Sequence, residues 1–164
     1  MVCIEKRPHN LCSRSSALHF RYLPCLLDKG HIKVWDHFTN PEHIVHWNFA
    51  SDDWHSPWAQ NDLRVNGKFV TRMEAKDGSF GFDLEGIYTE VTQYKGYMYQ
   101  LEDGRKIIVS FKEADGNVIV QEDFDPETEN THERQQYGWQ CILDNFKKYS
   151  EEVVYAKNCT PFMV

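Results

Sequence analysis

Three Asp-Gly pairs constrain the fold of this chain more than any other feature. They stand at Asp77-Gly78, Asp103-Gly104 and Asp115-Gly116, and each separates two segments in which apolar and polar residues alternate. Asp-Gly readily adopts the positive φ angles of a tight hairpin turn, and a period of two is typical of a strand with one buried face. We therefore predict an antiparallel meander of strands joined by these turns.

The alternation also predicts which side chains face the inside of this sheet, because every second residue of a strand lies on the same face. The inward positions, strand by strand, are Phe69, Thr71 and Met73; Phe80, Phe82, Leu84, Gly86 and Tyr88; Tyr97, Tyr99 and Leu101; Ile107, Val109 and Phe111; and Val118, Val120, Glu122 and Phe124. Lys68, Arg72, Asp83 and Glu85 face outward, where charge pairing across strands is their ordinary role.

A long helix is predicted after the meander. Its apolar stripe consists of Trp139, Ile142, Leu143, Phe146 and Tyr149. Asn130 and Glu133 have the spacing of a capping box at its start. The stripe needs an apolar surface to cover, and the inner face of the sheet is the only large one that the sequence offers. These elements predict an α+β fold in which the sheet wraps around the C-terminal helix.

One strand and two short helices are predicted before the meander. Alternation over residues 18–22 predicts the strand. Helical spacing over residues 32–38, with Asp28 as a candidate cap, predicts the first helix. Asn40 is a good N-cap and Pro41 suits a first helical position, so a second helix is expected to run to about Trp47.

A long loop is predicted to connect these helices to the meander. It covers residues 48–66 and contains Asp52, Asp53 and Pro57. A short strand is expected within it, over residues 63–65.

The overall composition limits the class of protein. With 164 residues and 41% apolar content, we expect a poorly ordered leader over residues 1–16, one domain over residues 17–151, and a tail over residues 152–164. The 25 acidic and 18 basic residues give a net charge of −7, which disfavours nucleic acid as a partner. No apolar run approaches the roughly 20 residues of a membrane span, and no secretory signal is recognisable, so a cytoplasmic protein without membrane insertion is expected.

The cysteines support the same compartment. There are five of them, at scattered spacings and without a C-x-x-C pair. Such a set fits neither a disulfide framework nor a zinc site, and free thiols in a reducing cytosol explain it more simply. They are Cys3, Cys12, Cys25, Cys141 and Cys159.

Several long segments resemble one known family. They are WDHFTNPEHI at residues 35–44, WNFASDDWH at 47–55, NDLRV and GKF within 61–69, RMEAKDGSFGFD at 72–83, GWQ at 138–140 and NFKKY at 145–149. Between about residues 34 and 151, the chain resembles the Activator of Hsp90 ATPase homologue-like proteins of the START and Bet v 1-like (SRPBCC) superfamily. The resemblance implies a helix-grip fold, with a curved antiparallel sheet around a long C-terminal helix and two short helices after the first strand.

Two places differ from the pattern that this family usually shows. The segment at residues 28–31, DKGH, stands where an Asn-Ala-Pro-like corner is usual, and Asn66 replaces the first glycine of a Gly-Gly pair. Because asparagine tolerates left-handed backbone geometry, the turn at Asn66 is expected to be retained.

The family resemblance implies that the space between the sheet and the long helix holds an apolar molecule, and the inward aromatic residues agree with this. The alternative is that the same side chains simply fill a core. The candidate lining residues are Phe69, Met73, Phe80, Phe82, Tyr88, Tyr97, Tyr99, Trp139, Leu143 and Phe146. Trp47, Trp54 and Trp58 are candidates for the mouth or lid of this space, or else they pack their loop onto the domain.

Glu122 is the unusual inward residue. Desolvation on an apolar face would raise the pKa of its carboxyl group, so that it could act as a base or as a polar anchor for a ligand. The alternative is that it reaches solvent or pairs with a basic side chain.

Three functions follow from these features. The first is non-enzymatic binding of a small hydrophobic or amphipathic ligand by a monomer or homodimer. The second, implied by the family, is a protein-interaction module that modulates a chaperone ATPase. The third is a cyclase or hydrolase acting in the same cavity, although the sequence shows no catalytic constellation.

No cofactor or metal is expected. His43, His46 and His55 lie near Asp52 and Asp53, a set of side chains that could in principle bind zinc. Their spacing, however, is not a metal signature.

Overall fold

An antiparallel sheet and one long helix make up most of the structure. The computed structural model describes the backbone of residues 14–21 and 30–158, and the side chains of residues 30–153. Within these ranges the strands are β1 (Arg14–Arg21), β2 (Trp54–His55), β3 (Ala59–Asn61), β4 (Lys68–Ala75), β5 (Gly81–Thr92), β6 (Gly96–Leu101), β7 (Lys106–Ala114) and β8 (Asn117–Phe124). The helices are α1 (Gly30–Thr39), α2 (Pro41–Ile44) and α3 (His132–Asn158).

The order of the strands confirms the predicted meander. It is β1-β8-β7-β6-β5-β4-β2, and β3 also pairs with β4. Strands β4 to β8 are neighbours in sequence and in space, whereas β1 returns to pair with β8, with Arg14 opposite Phe124. A β-bulge in β5 between Tyr88 and Glu90 shifts the register with β6. Such a bulge bends a strand and increases the local twist, which helps the sheet to curve.

The three Asp-Gly turns have the backbone geometry that the sequence predicted. Gly78, Gly104 and Gly116 have φ angles of 74°, 88° and 72°, and Asp115 has a φ of 52°. Asn66, in the position where the family usually has glycine, has a φ of 65°. The expected left-handed turn at Asn66 is therefore confirmed.

The helices agree with the sequence in position and differ at their ends. Asn40 caps α2, because its side-chain oxygen accepts a hydrogen bond from the Glu42 N–H at 3.0 Å. This helix ends at Ile44 rather than at Trp47 and is followed by a turn. Asp28 lies outside the described residues. None of the described helices is both long and apolar enough to cross a membrane.

The predicted capping box of α3 was misplaced by one residue. Thr131 caps the helix: its side-chain oxygen accepts from the Arg134 N–H at 3.3 Å, and its carbonyl accepts from the Gln135 N–H at 3.1 Å. The Asn130 N–H instead donates to the Glu127 carboxylate at 2.9 Å. This bond belongs to the turn before the helix, so Asn130 lies outside the capping position.

Two other boundaries differ from the sequence predictions. Strand β1 begins at Arg14, so residues 14–16 of the predicted leader belong to the sheet, whereas the strand's predicted last residue, Tyr22, lies outside the described residues. The strand expected over residues 63–65 is a turn, closed by a hydrogen bond from the Gly67 N–H to the Arg64 carbonyl at 2.8 Å. Within this loop it is β3, and not residues 63–65, that pairs with β4.

Gly86 offers a test of the packing on the inner face. It is buried in β5, and a Cβ atom there would lie 2.8 Å from Phe69 Cε1 and 2.9 Å from the Gln100 carbonyl oxygen. We expect Gly86→Ala to reduce the free energy of unfolding by about 1 to 3 kcal/mol, because the Phe69 ring must move. Urea denaturation measures this loss.

Gly138 provides the matched control. It lies in α3 with no atom within 4 Å of an added Cβ, so Gly138→Ala is expected to increase stability by up to about 1 kcal/mol through helix propensity alone. If Gly86→Ala proved as stable as the unmodified protein, the close packing of Phe69 over Gly86 would be incorrect.

Candidate functional site

The candidate site is centred on Glu122, which lies on the inner face of β8. Its side chain is 5% exposed. In the part of the chain that the structure describes, no group forms a hydrogen bond to its Oε2 atom. An unpaired buried carboxyl oxygen is costly, since burial removes its hydrogen bonds to water without replacing them.

Two rows of inward side chains surround this carboxyl group. In the first row, Glu122 lies opposite Val109 of β7, which lies opposite Tyr97 of β6. In the second row, Tyr99 of β6 lies between Ile107 of β7 and Tyr88 of β5. Since strands are spaced by about 4.8 Å, the backbones of Glu122 and Tyr97 are about 10 Å apart. Their side chains stand on the same face of the sheet.

Three buried tyrosines share the inner face with Glu122. The Tyr88 hydroxyl donates to Asn61 Oδ1 at 2.8 Å, and Asn61 Nδ2 donates to the Thr39 carbonyl at 2.6 Å. Tyr97 and Tyr99 are also buried, at 9% and 6% exposed. On this inner face, the buried polar atom without a partner among the described residues is Glu122 Oε2.

Burial alters the acidity of these groups. It raises the pKa of Glu122 from its ordinary value of 4.5 to about 8. Burial is also the main cause that raises the pKa values of Tyr97 and Tyr99, and a negative charge on Glu122 adds to both increases. At pH 7 the carboxyl group of Glu122 is therefore mostly protonated, and both tyrosines are neutral.

The inward aromatic residues form two groups. Phe69, Tyr88, Tyr97 and Tyr99 contact one another, with ring centroids between 4.7 and 6.3 Å apart. Trp35 of α1 joins this group through Tyr97 at 5.9 Å. We call these five residues the inner aromatic group.

The second aromatic group lies between the helices. Phe146 of α3 contacts Phe38 at 4.7 Å and Trp47 at 4.9 Å, and Trp139 contacts Phe124 at 5.5 Å. Phe111 of β7 connects the two groups, because its ring contacts Trp35 at 5.0 Å and Phe38 at 5.5 Å. The helix α3 therefore reaches the inner aromatic group through Phe38 and Phe111.

The other candidate lining residues lie in different surroundings. Leu143 is fully buried on α3, and Met73 is 7% exposed on β4. Phe80 and Phe82, predicted to face inward, are 62% and 40% exposed. Phe82 lies opposite Met73, near the end of β4, and Phe80 precedes β5. The alternation correctly predicted that Phe82 lies on the same face as Met73. This end of the hairpin, however, lies beyond the region that the rest of the protein covers.

The three candidate lid tryptophans also lie in different surroundings. Trp47 is 4% exposed, and its ring N–H donates to the His37 carbonyl at 3.0 Å, so it belongs to the core and not to a mouth. Trp54 is half-buried and contacts Phe80 and Phe82, each at 6.0 Å. Trp58 is 42% exposed. We call Trp54, Phe80 and Phe82 the hairpin aromatic cluster.

Histidine pairs link the short helices to α3. His37 Nδ1 lies 2.9 Å from the Ser150 hydroxyl, and His43 Nδ1 lies 2.6 Å from the Tyr149 hydroxyl. His55 Nε2 lies 3.1 Å from Glu74 Oε1. The described residues include no group of three or more metal-ligating side chains with the geometry of a metal site.

The outward charges form the pairs that alternation predicted. Lys68 Nζ lies 2.8 Å from Glu85, and Arg72 lies 3.3 Å from Asp83. A groove of about 360 Å³ lies beside this face, and four of its six lining residues are acidic. Such a groove does not suit an apolar molecule, so it is not the candidate site. Its lining residues are Asp83, Leu84, Glu85, Leu101, Glu102 and Asp103.

Two residues of the site were not among the sequence candidates. Trp35 was recognised only as an apolar residue of its helix, and Asn61 was placed in an irregular loop. The alternation that located the long strands is absent from three-residue β3, so no local pattern indicated that Asn61 would hold Tyr88.

A family model described as Activator of Hsp90 ATPase homolog 1-like protein matches residues 32–151. This chain belongs to that family. The matched segment runs from α1 into α3 and includes the inward faces of β4 to β8. The family resemblance seen in the sequence is therefore confirmed, and so is the fold that it implied.

Solved structures show the same architecture. The AHSA1-like protein from Aeromonas hydrophila is 39% identical, with a TM-score of 0.73, and the match covers 85% of this chain and 94% of that one. Chr148 from Cytophaga hutchinsonii is also 39% identical, with a TM-score of 0.70 and coverage of 86% and 93%. NE0264 from Nitrosomonas europaea, at 18% identity and a TM-score of 0.66 over 84% and 94% of the chains, shares the fold alone. No curated protein matches this chain.

Proposed function

We propose that this member of the family binds a small hydrophobic or amphipathic molecule against the inner face of the sheet, beside α3. The observation that supports this most strongly is the buried carboxyl oxygen of Glu122, which lacks a partner among the side chains that the structure describes. Natural proteins satisfy most of their buried polar groups, and one that is left unpaired calls for a ligand or an ordered water.

The surroundings of Glu122 favour a molecule with a mainly apolar body. Val109, Ile107 and Val120 are at most 2% exposed, and the inner aromatic group lies beyond them. A binding site for a small molecule typically combines such an apolar lining with a few polar groups that orient the ligand. Glu122, Tyr97 and Tyr99 are those polar groups.

We propose binding rather than catalysis. Burial raises the pKa values of Tyr97 and Tyr99, and a negative charge on Glu122 adds to both increases. Neutral tyrosines that resist ionisation are weak nucleophiles and weak bases near pH 7. Because Glu122 is itself mostly protonated at that pH, the site lacks an activated nucleophile.

The compartment and the assembly state belong to the same proposal. We place the protein in the cytoplasm as a monomer or homodimer that does not engage nucleic acid. The net charge of −7 supports the last point, because such a charge repels phosphate backbones.

Val109→Phe distinguishes a binding space from a filled core. Val109 is 1% exposed and lies opposite Glu122. If the inner face holds a ligand, we expect the larger ring to occupy that space, with a change in stability below about 1 kcal/mol and with loss of ligand binding. In a filled core the same change would cost about 1 to 3 kcal/mol.

The measurement is a thermal-shift screen of lipids and aromatic metabolites against the unmodified protein and Val109→Phe. Ile108→Phe, at a 46% exposed position on the opposite face of the same strand, is the matched control. A screen without saturable stabilisation by any class, together with a strongly destabilised Val109→Phe, would contradict the proposal.

The hairpin aromatic cluster favours a second candidate function, a protein-interaction module that modulates a chaperone ATPase. Exposed aromatic residues that contact one another are typical of protein-binding surfaces. Phe80 and Phe82 remain 62% and 40% exposed although each contacts Trp54. The description of the matched family names an activator of the Hsp90 ATPase.

A pull-down with an Hsp90-type chaperone and an assay of its ATP turnover test this function. We expect Phe80→Ser to reduce any stimulation several-fold, because its ring is the most exposed of the cluster. Ile108→Ser, which removes an exposed apolar side chain elsewhere, should have no effect. Unchanged turnover with the unmodified protein would rule the function out.

A further inference from the structure

We propose that the ligand of the Glu122 site is an amine, with an apolar body that packs on the inner aromatic group and an ammonium group that pairs with the carboxylate of Glu122. This inference rests on the proposed ligand-binding function and names the class of ligand.

The charges around Glu122 provide the first reason. Tyr97, Tyr99 and Tyr88 on β6 and β5 are neutral tyrosines, and the buried positions of neighbouring β7 are apolar. On the helices packed against the sheet, α1 contributes His37, which lies against Ser150, and the most buried residues of α3 are Ile142, Leu143, Phe146 and Ser150. On β1, which pairs with β8, Ser16 lies opposite Glu122, and the basic residues are Arg14, His19 and Arg21. Among residues 30–153, whose side chains the structure describes, no lysine or arginine forms an ion pair with Glu122, so a cationic ligand would supply a countercharge.

The same electrostatics disfavour the ligand that an apolar site would otherwise suggest. A fatty acid or another carboxylate can bind beside Glu122 only while Glu122 is protonated, because two adjacent carboxylates repel each other. Its affinity is therefore expected to fall as the pH rises above about 8, opposite to that of an amine. Above this pH the site selects against anionic amphiphiles.

The inner aromatic group provides the second, independent reason. Four aromatic residues of the group lie on the sheet face that Glu122 shares, Trp35 of α1 packs against them, and the rings of Tyr88 and Tyr97 meet edge to face at 5.4 Å. The negative faces of such rings attract cations, and aromatic cages are a common way to bind ammonium groups.

The number of protons released on binding depends on how often Glu122 is protonated in the empty site. With the pKa of Glu122 at about 8, about nine in ten empty sites carry a protonated carboxyl group at pH 7 and about one in ten at pH 9. An ammonium ion binds the deprotonated form, so each binding event at pH 7 releases close to one proton from Glu122 to the buffer. The affinity for an amine is therefore expected to rise about tenfold between pH 7 and pH 9.

Two matched sets of compounds test the inference by isothermal titration calorimetry. One set is tryptamine, tryptophol and indole-3-propionic acid, and the other is decylamine, decanol and decanoic acid, below their aggregation concentrations. Within at least one set we expect the amine to bind at least tenfold more tightly than the acid at pH 9, and the affinity of the amine to increase between pH 7 and pH 9. Titrations in buffers of different ionisation enthalpy measure the released proton.

Two variants test whether the preference for the amine depends on Glu122. Glu122→Gln should retain binding of the neutral alcohol, lose the preference for the amine, and abolish the proton release. Glu90→Gln, at an exposed position on β5, should behave as the unmodified protein.

The outcomes separate the inference from the function on which it rests. If the acid bound as tightly as the amine at pH 9, or if the preference survived in Glu122→Gln, the amine inference would be overturned while ligand binding stood. If none of the six compounds bound, both would be overturned.

Discussion

Glu122→Gln is expected to leave the stability of the protein almost unchanged at pH 4.5 and to increase it by up to about 5 kcal/mol at pH 9, relative to the unmodified chain. Burial raises the pKa of Glu122 from 4.5 to about 8 in the folded state. The folded protein thus holds this proton more tightly than the unfolded chain does. Each unit of difference corresponds to about 1.4 kcal/mol.

The direction of the effect follows from proton linkage. Below pH 4.5 the carboxyl group is protonated in both states, so the folded protein bears no cost. Between pH 4.5 and 8 the unfolded chain loses the proton and the folded protein retains it, so stability falls as pH rises. Above pH 8 the folded state buries a carboxylate and the loss is complete. Glutamine removes this dependence because it does not titrate.

Urea denaturation of the two proteins at several pH values between 4.5 and 9 measures the difference. Histidines also titrate in this range, but they are common to both proteins and cancel in the comparison. Glu90→Gln, at an exposed position, controls for the loss of one negative charge and should show no such trend. A difference that stayed constant across the range would mean that Glu122 is hydrated in the folded protein.

Phe146→Ala is expected to lower the free energy of unfolding by about 3 to 5 kcal/mol. Phe146 is fully buried, and its ring contacts Phe38 at 4.7 Å and Trp47 at 4.9 Å. These contacts join α3 to α1 and to the turn after α2. Removal of the ring leaves a cavity where α1, α3 and the turn after α2 meet, and the surrounding backbone can close it only in part.

The control for this change lies on the same helix. Tyr137 is 73% exposed, and Tyr137→Ala should alter stability by no more than about 0.5 kcal/mol. Chemical denaturation followed by circular dichroism measures both variants. A loss below about 1 kcal/mol in Phe146→Ala would show that α3 does not depend on this aromatic contact.

Local patterns in the sequence were sufficient for the turns and for the faces of the long strands. An Asp-Gly pair requires no distant partner to favour a positive φ, and a period of two assigns a face to every residue of a strand such as β8. That is why the inward position of Glu122 and the stripe on α3 were both predicted. Asn40 is a similar case, since its capping bond closes within two residues.

Long-range contacts decided which of the inward residues became buried. Trp47, Trp54 and Trp58 lie close together in sequence, yet only Trp47 enters the core, because Phe38 and Phe146 contact its ring there. Phe82 has the strand parity of a buried residue but lies at an end of the sheet where it stays 40% exposed. The alternation along a strand predicts the face on which a residue lies, but it does not predict which other segments cover that face.

The sequence by itself determined the meander, its Asp-Gly turns and the inward position of Glu122, since each of these depends on residues that are neighbours along the chain. The tertiary structure decided that Glu122 has an unpaired oxygen, that Asn61 holds Tyr88, and that the hairpin aromatic cluster is exposed. These features depend on distances between segments far apart in sequence, such as Asn61 and Tyr88 or Glu122 and Tyr97. No local pattern encodes such distances, because they arise only when the strands pair and the helices cover part of the sheet.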